Sequence, residues 1–287
     1  MSSLNNILVR SDDRYKYKPT PQLLKWVGNK QRYAKEITQK FDTEYNKYIE
    51  PFIGTGAILG TFKPNEAVAG DILKPLVDLW VLVKNNPDKI MSYYSTVYED
   101  YCKDKKETYD RIKAKYNKKP NPLDLLLISR SCYGGVMRFT KKGEISTPIG
   151  PHNLMNDEKF EKRLFKWHEV VQNTDFYHQD FEKTMKIAEE GDIVYCDPPY
   201  FFGQSILYGA QGFDFERLWD AVEYCKDVGA RVYLSFDGKA KEGTEIRDGL
   251  FKWKCNVDRG FCMLNRFKRE GLDMNGFELH DWLLITE

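Results

Sequence analysis

The segment of this sequence best suited to chemistry is GDIVYCDPPYF, residues 191–201, an apolar run that ends in an acid, two prolines and two aromatic residues. Proline lacks a backbone N–H, so Pro198 and Pro199 cannot lie within a sheet ladder and the predicted strand ends before them. The carboxylate of Asp197 and the carbonyl of Pro198 then offer two rigidly held hydrogen-bond acceptors. Two neighbouring acceptors suit an NH2 group, and the ring of Tyr200 can stack on a flat base.

These residue types favour transfer of a group to an aromatic amine. Such an amine is a poor nucleophile because its lone pair is delocalised into the ring. Acceptors for both hydrogens draw the nitrogen toward tetrahedral geometry, so that a methyl group held in line can be transferred by positioning and electrostatics. We therefore expect Asp197, Pro198, Pro199 and Tyr200 to be catalytic. Cys196 precedes Asp197 on a strand and should face the opposite side, which predicts packing and not nucleophilic catalysis.

A glycine turn and an acid downstream of it indicate a nucleoside-containing cofactor. In EPFIGTG, residues 50–56, Gly54 and Gly56 let the backbone approach a ligand closely, although a GxG pattern alone fits a plain turn equally well. Asp71 follows Gly54 by 17 positions, close to the spacing of about 20 at which an acid binds ribose hydroxyls. Asp71 also fits a helix N-cap, and the two roles are compatible. The phosphate fingerprint is incomplete and no P-loop lysine follows, which disfavours pyrophosphate or ATP.

Strands and helices alternate along much of the chain and must position these residues. The predicted strands lie in YIEPFIG, AVAGD, FYHQD, DIVYCD, RVYLSFDG and WLLITE. Segments with helical periodicity lie between these strands, and they include FEKTMKIAEE and FERLWDAVEYCKDVG. This order predicts an α/β fold with a mainly parallel sheet covered on both faces, and leaves antiparallel edge strands open. In such sheets ligands bind at the carboxyl ends of the strands.

The alternation of strands and helices stops between about residues 86 and 173, where the sequence becomes aromatic, basic and polar. We therefore predict a catalytic domain over residues 1–85 and 174–287, with an inserted lobe over residues 86–173. Residues 103–119 hold eight Lys or Arg and three Asp or Glu. A solvated helix face is the usual explanation of such a run, and it only mildly favours a polyanionic partner.

Composition limits the broad class of protein. Hydrophobic residues make up 41% of the 287 residues and aromatics 14%, which suits a packed core, and the net charge of +1 argues against a wholly basic coat. No apolar run approaches the roughly 20 residues that cross a bilayer, and the N-terminus lacks a secretory signal, so we expect a cytoplasmic protein. Six cysteines without a CxxC pair and four scattered histidines suggest neither a metal site nor disulfides.

Five segments together resemble the Dam-like (D12 class, alpha-group) DNA adenine-N6 methyltransferases. They are LLKWVGNK, EPFIGTG, AVAGD, RFTKKGEISTPIG and VYCDPPY, in that family's order and over most of the chain. The resemblance implies a Rossmann-like S-adenosylmethionine-dependent methyltransferase core with an inserted target-recognition lobe. It implies methyl transfer to adenine N6 in double-stranded DNA by base flipping, without a metal, a membrane or an obligate protein partner.

The resemblance also implies a set of cofactor contacts. Its members are Trp26, Lys30, Phe52, Gly54, Gly56, Asp71, Asp180, Phe181 and Asp197. Within this set, Trp26 and Lys30 would contact the methionine portion together with the two glycines, Asp71 would hold the ribose, and Asp180 would meet the adenine. The structural alternatives are a core position for Trp26, a surface charge for Lys30 and a helix cap for Asp180.

In the inserted lobe, CYGGVMRFTKKGEISTPIG resembles the hairpin with which Dam-like enzymes enter the DNA major groove. The implied DNA contacts are Tyr133, Val136, Arg138, Lys141, Lys142 and Pro148. Arg138 would pair bidentately with guanine, Tyr133 would probe the stack beside the flipped adenine, and the two apolar members would touch thymine methyls. The two lysines fit phosphate contacts or a solvated turn. Gly134 stands where many relatives carry Asn, so the resemblance does not imply the polar contact that this Asn makes in those relatives.

The same residues are also compatible with two alternative functions. One is methyl transfer to another amine, in cytosine N4, RNA adenine or a protein glutamine, although cytosine-N4 and glutamine enzymes more often have Ser or Asn where Asp197 stands. Another is a DNA-binding protein that has the fold but no longer catalyses. The residues around Arg138 are similar to those of enzymes that recognise GATC or a site containing part of it.

Overall fold

The computed structural model of the chain describes residues 18–199, 213–237, 246–258 and 280–287. Within these ranges the chain forms a seven-stranded sheet. Its strands are β1 (Tyr48–Glu50), β2 (Ala67–Asp71), β3 (Thr174–His178), β4 (Ile193–Cys196), β5 (Arg231–Asp237), β6 (Trp253–Asp258) and β7 (His280–Ile285). The order across the sheet is β3-β2-β1-β4-β5-β7-β6.

The first five strands of that order run parallel, and β7 pairs antiparallel with both β5 and β6. From β1 the chain proceeds outward through β2 and β3, and then returns to the other side of β1 as β4. The strand order therefore reverses between β1 and β4, which is where Rossmann-like sheets open a ligand crevice. The prediction of an α/β, mainly parallel sheet is confirmed. The sequence allowed antiparallel strands at the edge of the sheet, and two are present, β6 and β7. Strand β6 was not predicted by any sequence pattern.

Nine α-helices lie within the described residues. They are α1 (Ala34–Thr38), α2 (Leu59–Phe62), α3 (Lys74–Asn85), α4 (Pro87–Lys103), α5 (Lys105–Lys118), α6 (Pro122–Ser131), α7 (Asp157–Val170), α8 (Phe181–Met185) and α9 (Phe215–Asp227). Side-chain N-caps begin α4 to α9, where an Asn or Asp oxygen accepts an N–H of the first turn. Helix α8 is shorter than the predicted helix over FEKTMKIAEE, because Ile187 and Ala188 bond back to the carbonyls three residues earlier.

Both faces of the sheet are covered, as the sequence predicted. Along β4, Tyr195 packs into the core that contains Trp80 of α3, whereas Val194 and Cys196 pack into the core that contains Trp219 of α9. This alternation is the period of two expected of a strand buried on both sides. Among the described residues, no helix combines the length and the apolar composition that a bilayer crossing needs.

Residues 86–173 are largely helical, whereas the sequence analysis considered a helix only over residues 103–119, where α5 lies. Helices α4 to α7 occupy most of this range and share one continuous apolar core with α3 and the sheet. The segment between α6 and α7 is irregular, with isolated antiparallel bridges that join Cys132 to Ile149 and Phe139 to Ile145. The division of the chain into two domains at residues 86 and 173 stays a prediction.

Two buried tryptophans support the turn between β1 and α2 from behind. The rings of Trp80 and Trp167 lie 4.9 Å apart, centre to centre, and join α3 to α7. The Trp80 indole N–H donates to the carbonyl of Gly54 at 3.1 Å. A methyl group added at Gly56 would lie 3.3 Å from both rings, and one added at Gly60 would lie 2.3 Å from Trp167. The turn therefore has its conformation fixed by contacts on the side away from solvent.

We expect Gly60→Ala to lower the free energy of unfolding by about 1–2 kcal/mol, measured by urea denaturation. Alanine gains about 1 kcal/mol of helix propensity over glycine, but overpacking a buried site costs about 1–3 kcal/mol. The ring of Trp167 is fully buried and packs against Trp80, so a shift that makes room for the added methyl group is costly. In a double-mutant cycle, Gly60→Ala with Trp167→Leu should cost less than the sum of the two single changes. Strict additivity would contradict this contact as the cause.

Candidate active site

A cavity of about 310 Å³ lies at the carboxyl ends of β1, β2 and β4. It brings together ten of the residues predicted to bind cofactor or to catalyse. These are Trp26, Lys30, Phe52, Gly54, Asp71, Asp180, Phe181, Asp197, Pro198 and Pro199. Gly56 does not line the cavity, because it faces Trp80 and Trp167 instead. Tyr200 lies outside the described residues.

The glycine turn and Asp71 are joined by hydrogen bonds across two strand ends. Gly54 has a φ of +46°, which a side chain would disfavour. Its N–H donates to Asp71 Oδ2 at 3.4 Å, and the N–H of Leu73 donates to Asp71 Oδ1 at 2.9 Å. Leu73, and not Asp71, is the N-cap residue of α3. Burial raises the pKa of Asp71 to about 6.

One end of the cavity is aromatic. The rings of Phe52 and Phe181 stack with centres 5.3 Å apart and planes at 26°, and Phe213 packs against both. Asp180 borders this end and caps α8, since its Oδ1 accepts the N–H of Glu182 at 3.0 Å. The predicted helix cap is therefore present, and the same residue also lines the cavity. Aromatic surface with a polar edge is suited to a flat heterocyclic base.

The other end of the cavity carries a buried ion pair. Lys30 Nζ lies 2.6 Å from Asp197 Oδ1 and also donates to the carbonyl of Gly28 at 3.1 Å. The Lys30 side chain is only 5% exposed, so the alternative of a surface charge is wrong. A buried pair of this kind is strongly coupled, because removal of one partner leaves the other charge uncompensated. Lys30 thus fixes the position of the Asp197 carboxylate.

Cys196 points away from the cavity, as its place before Asp197 predicted. It is fully buried in the opposite core, where its Sγ lies 4.0 Å from the sulfur of Met185. Burial raises the pKa of the Cys196 thiol well above its usual value. A protonated thiol on that side of the sheet is a packing residue.

Glu50 is an acid of the cavity to which the sequence analysis gave no role. It ends β1 and is only 3% exposed. Its Oε2 accepts hydrogen bonds from the Tyr48 hydroxyl at 2.8 Å and from the N–H of Leu59 at 3.1 Å. Burial, followed by smaller effects that include the charge of Asp197, raises the pKa of Glu50 to about 8. The sequence signal for Glu50 was its place at the start of EPFIGTG, at the end of the strand.

Two further cavity residues, Phe213 and Arg217, were also missed. Both lie beyond the proline-containing loop, at the beginning of α9, where no motif in the sequence marks them. Their approach to Phe181 and Asp180 depends on how α9 packs beside α8.

The predicted DNA-contacting residues lie on a short hairpin. Antiparallel backbone hydrogen bonds run from Ser146 N to Arg138 O and from Thr140 N to Glu144 O. Buried and exposed residues alternate along both arms. The predicted contacts that are exposed are Tyr133, Arg138, Lys141, Lys142 and Pro148, and Val136 is half-buried. At the base of the hairpin, Gly135 packs against Lys25, the neighbour of Trp26 in the cavity wall.

Comparison with known proteins identifies relatives over most of the chain. A family model for the D12 class N6 adenine-specific DNA methyltransferase matches residues 26–235. The type II methyltransferase M.MjaIII of Methanocaldococcus jannaschii is 27% identical over 267 residues, which cover 81% of this chain and 92% of that protein. The DNA adenine methylase of Haemophilus influenzae is 29% identical over 191 residues, 65% of each chain. The solved rRNA methyltransferase aviRa from Streptomyces viridochromogenes covers 99% of this chain and 96% of its own, at 11% identity and a TM-score of 0.40.

We expect Glu50→Gln to flatten the pH dependence of stability between about pH 5 and 8. With a pKa raised to about 8, folded wild-type protein keeps a proton on Glu50 that the unfolded chain releases near its ordinary pKa of 4.5. Wild-type stability therefore falls as the pH rises through this interval, by up to about 1.4 kcal/mol per pH unit. Gln keeps an oxygen for the Tyr48 and Leu59 hydrogen bonds but has no such proton.

Urea denaturation at half-unit pH steps measures this effect. Glu66→Gln removes an exposed acid just before β2 and is the matched control, for which we expect the wild-type pH dependence. Parallel curves for Glu50→Gln and the wild-type protein would contradict a protonated Glu50 in the folded state.

Proposed function

Because the chain belongs to the D12 class N6 adenine-specific DNA methyltransferases, we propose that it transfers a methyl group from S-adenosylmethionine to adenine N6 in double-stranded DNA. One observation carries this mechanism. Asp197 and Pro198, at the end of β4, line the same cavity as Gly54 and Asp71. The predicted amine acceptors and the predicted cofactor contacts thus face one space, as an in-line transfer requires.

The residues of the cavity fit S-adenosylmethionine, which supplies an activated methyl group on a sulfonium centre. Phe52 and Phe181 offer an aromatic surface for the adenine moiety, beside the carboxylate of Asp180. Asp71 is held by the glycine turn at a place where its oxygens can accept ribose hydroxyls. Trp26 and Gly54 border the space left for the methionine portion. Lys30 borders the same space and is hydrogen-bonded to Asp197.

In the mechanism that we propose, the protein activates the target amine by hydrogen bonding. The Asp197 carboxylate and the Pro198 carbonyl accept the two hydrogens of the adenine amino group and make its lone pair available. Lys30 keeps Asp197 in place and neutralises its charge before the base enters. Stacking of the flipped adenine on Tyr200 remains a prediction from the sequence.

Residues 86–173 form the DNA-recognition part in this proposal, with the hairpin as the element that enters the major groove. Arg138 is exposed on the hairpin and its guanidinium suits bidentate pairing with guanine. Tyr133, which is 48% exposed, lies at the base of the hairpin and is assigned to the stack beside the flipped base. Val136 and Pro148 would contact thymine methyls, while the two turn lysines would contact phosphate. GATC, or a site containing part of it, is the proposed target.

We expect Asp197→Asn to lower methyl transfer to duplex DNA by about 100-fold or more while the variant still binds S-adenosylhomocysteine. The assay is transfer of radiolabelled methyl from S-adenosylmethionine, with the modified nucleoside identified by mass spectrometry. Asn is preferred to Ala because its amide oxygen can still accept the hydrogen bond from Lys30, although both variants leave the Lys30 charge without the Asp197 carboxylate.

Asp192→Asn is the matched control, since Asp192 is a buried acid at the other end of the same strand. It bonds to the N–H groups of Lys47 and Glu189, away from the cavity, so activity per folded molecule should persist. Full activity of Asp197→Asn would refute the mechanism. N4-methylcytosine as product, methylation of RNA only, or cofactor binding without product in the wild-type protein would favour the alternative functions.

We expect Arg138→Ala to relax the preference for one base pair of the target by about 1–3 kcal/mol. Competition binding with duplexes changed at one base pair at a time measures it. Lys142→Ala is the comparison variant, for which we expect weaker binding to all sequences and a smaller salt dependence. If Arg138→Ala weakened binding equally on every duplex, Arg138 would be a phosphate contact.

A further inference from the structure

Arg217 of α9 closes the aromatic end of the cavity and has no role in the functions described above. Its Nη2 lies 2.9 Å from Asp180 Oδ1, and its Nε lies 2.5 Å from Glu182 Oε1. The guanidinium carbon lies 5.2 Å from the centre of the Phe181 ring, within the range of a cation–π contact. Arg217 therefore holds the first turn of α8 by two carboxylates and one aromatic face.

The hydrogen bonds of Asp180 are unequally divided between its two oxygens. Oδ1 accepts both the Glu182 N–H and the Arg217 Nη2. No hydrogen bond to Oδ2 is present among the described residues. A carboxylate is planar, so two donors on one oxygen define the direction of the other. Asp180 lines the cavity beside the stacked pair of Phe52 and Phe181, where an acceptor oxygen would meet the edge of a bound base.

We propose that Arg217 is a positioning residue that sets the base specificity of the cofactor site, because it orients Asp180 so that Oδ2 accepts a hydrogen bond from the amino group of adenine. This inference rests on the proposed function, since it concerns the adenine moiety of S-adenosylmethionine. A hypoxanthine base carries an oxygen in place of that amino group and would turn an acceptor toward the carboxylate. Sites built to hydrogen-bond one group reject an analogue that cannot make the bond.

The solvent exposure of Arg217 indicates that it orients Asp180 more than it stabilises the fold. Its side chain is 45% exposed, and its partners Asp180 and Glu182 are 33% and 28% exposed. Ion pairs with this much solvent contribute little to folding stability. The planar fork of arginine, however, orients a carboxylate in a way that the point charge of lysine does not. Loss of Arg217 should therefore change ligand discrimination much more than it changes stability.

Calorimetric binding of S-adenosylhomocysteine and S-inosylhomocysteine to the full chain tests the inference. We expect the wild-type protein to prefer the adenosyl ligand by about tenfold or more. Arg217→Ala should lose most of that preference through weaker adenosyl binding, and Arg217→Lys should retain part of it. In methylation assays, Arg217→Ala should raise the KM for S-adenosylmethionine while kcat at saturation stays near the wild-type value.

Arg247→Ala is the matched control. Arg247 pairs with Glu216, Asp220 and Glu223 on α9 at 2.7–2.9 Å, but it does not line the cavity. We expect this variant to keep the wild-type preference between the two ligands. Thermal unfolding of each variant checks folding, and Arg217→Lys, which retains the cation, carries the test if the alanine variant does not fold.

Each outcome decides between the inference and its rivals. Unchanged preference in Arg217→Ala would overturn it, and so would an equal loss of affinity for both ligands, because neither depends on the orientation of Asp180. A loss of preference in Arg247→Ala would also overturn it, by tracing the effect to α9 as a whole. Failure of the wild-type protein to bind S-adenosylhomocysteine would overturn the proposed cofactor itself, and the inference with it.

Discussion

The ion pair between Lys30 and Asp197 is the interaction on which the arrangement of the candidate active site depends. It joins the segment before α1 to the end of β4, with Nζ 2.6 Å from the carboxylate and the lysine almost fully buried. Either charge alone at this depth would be costly, so each residue determines where the other lies. Glu50 adds no second negative charge nearby at neutral pH, because burial raises its pKa to about 8. At this end of the cavity the charge of the Asp197 carboxylate is therefore balanced by Lys30.

The segment that carries Lys30 is fastened by the helices of residues 86–173. Arg130 of α6 donates to the carbonyl of residue 23 at 2.8 Å and Arg163 of α7 donates to the carbonyl of residue 22 at 2.7 Å. The Trp167 indole donates to the carbonyl of residue 21 at 2.7 Å. Helix α6 leads directly into the hairpin that carries the proposed DNA contacts. The part of the chain proposed for recognition thus also supports the ion pair of the candidate site, and among the described residues it shares one apolar core with α3 and the sheet.

Local sequence signals predicted which residues meet in the cavity where the candidate residue stands at or near the end of a strand. Gly54, Asp71 and Asp197 each follow a short apolar run, and parallel strands bring their carboxyl ends to one edge of the sheet. The same reasoning missed α4 and took the α5 segment only for a solvated helix face, although both helices bury tyrosines such as Tyr94 and Tyr109. Their hydroxyls donate to backbone carbonyls, so residues that look half-polar in sequence form a core stripe at helical spacing.

The sequence by itself determined the α/β class, the order of the motifs and the residue types at the strand ends, because period-two and helical patterns and proline stops act over a few residues. Only the tertiary structure decided which distant groups meet. It paired Lys30 with Asp197, placed Gly56 against two tryptophans and not in the cavity, and brought Arg217 onto Asp180. These contacts join residues 24 to 167 positions apart, and no local pattern encodes how separate elements pack against one another.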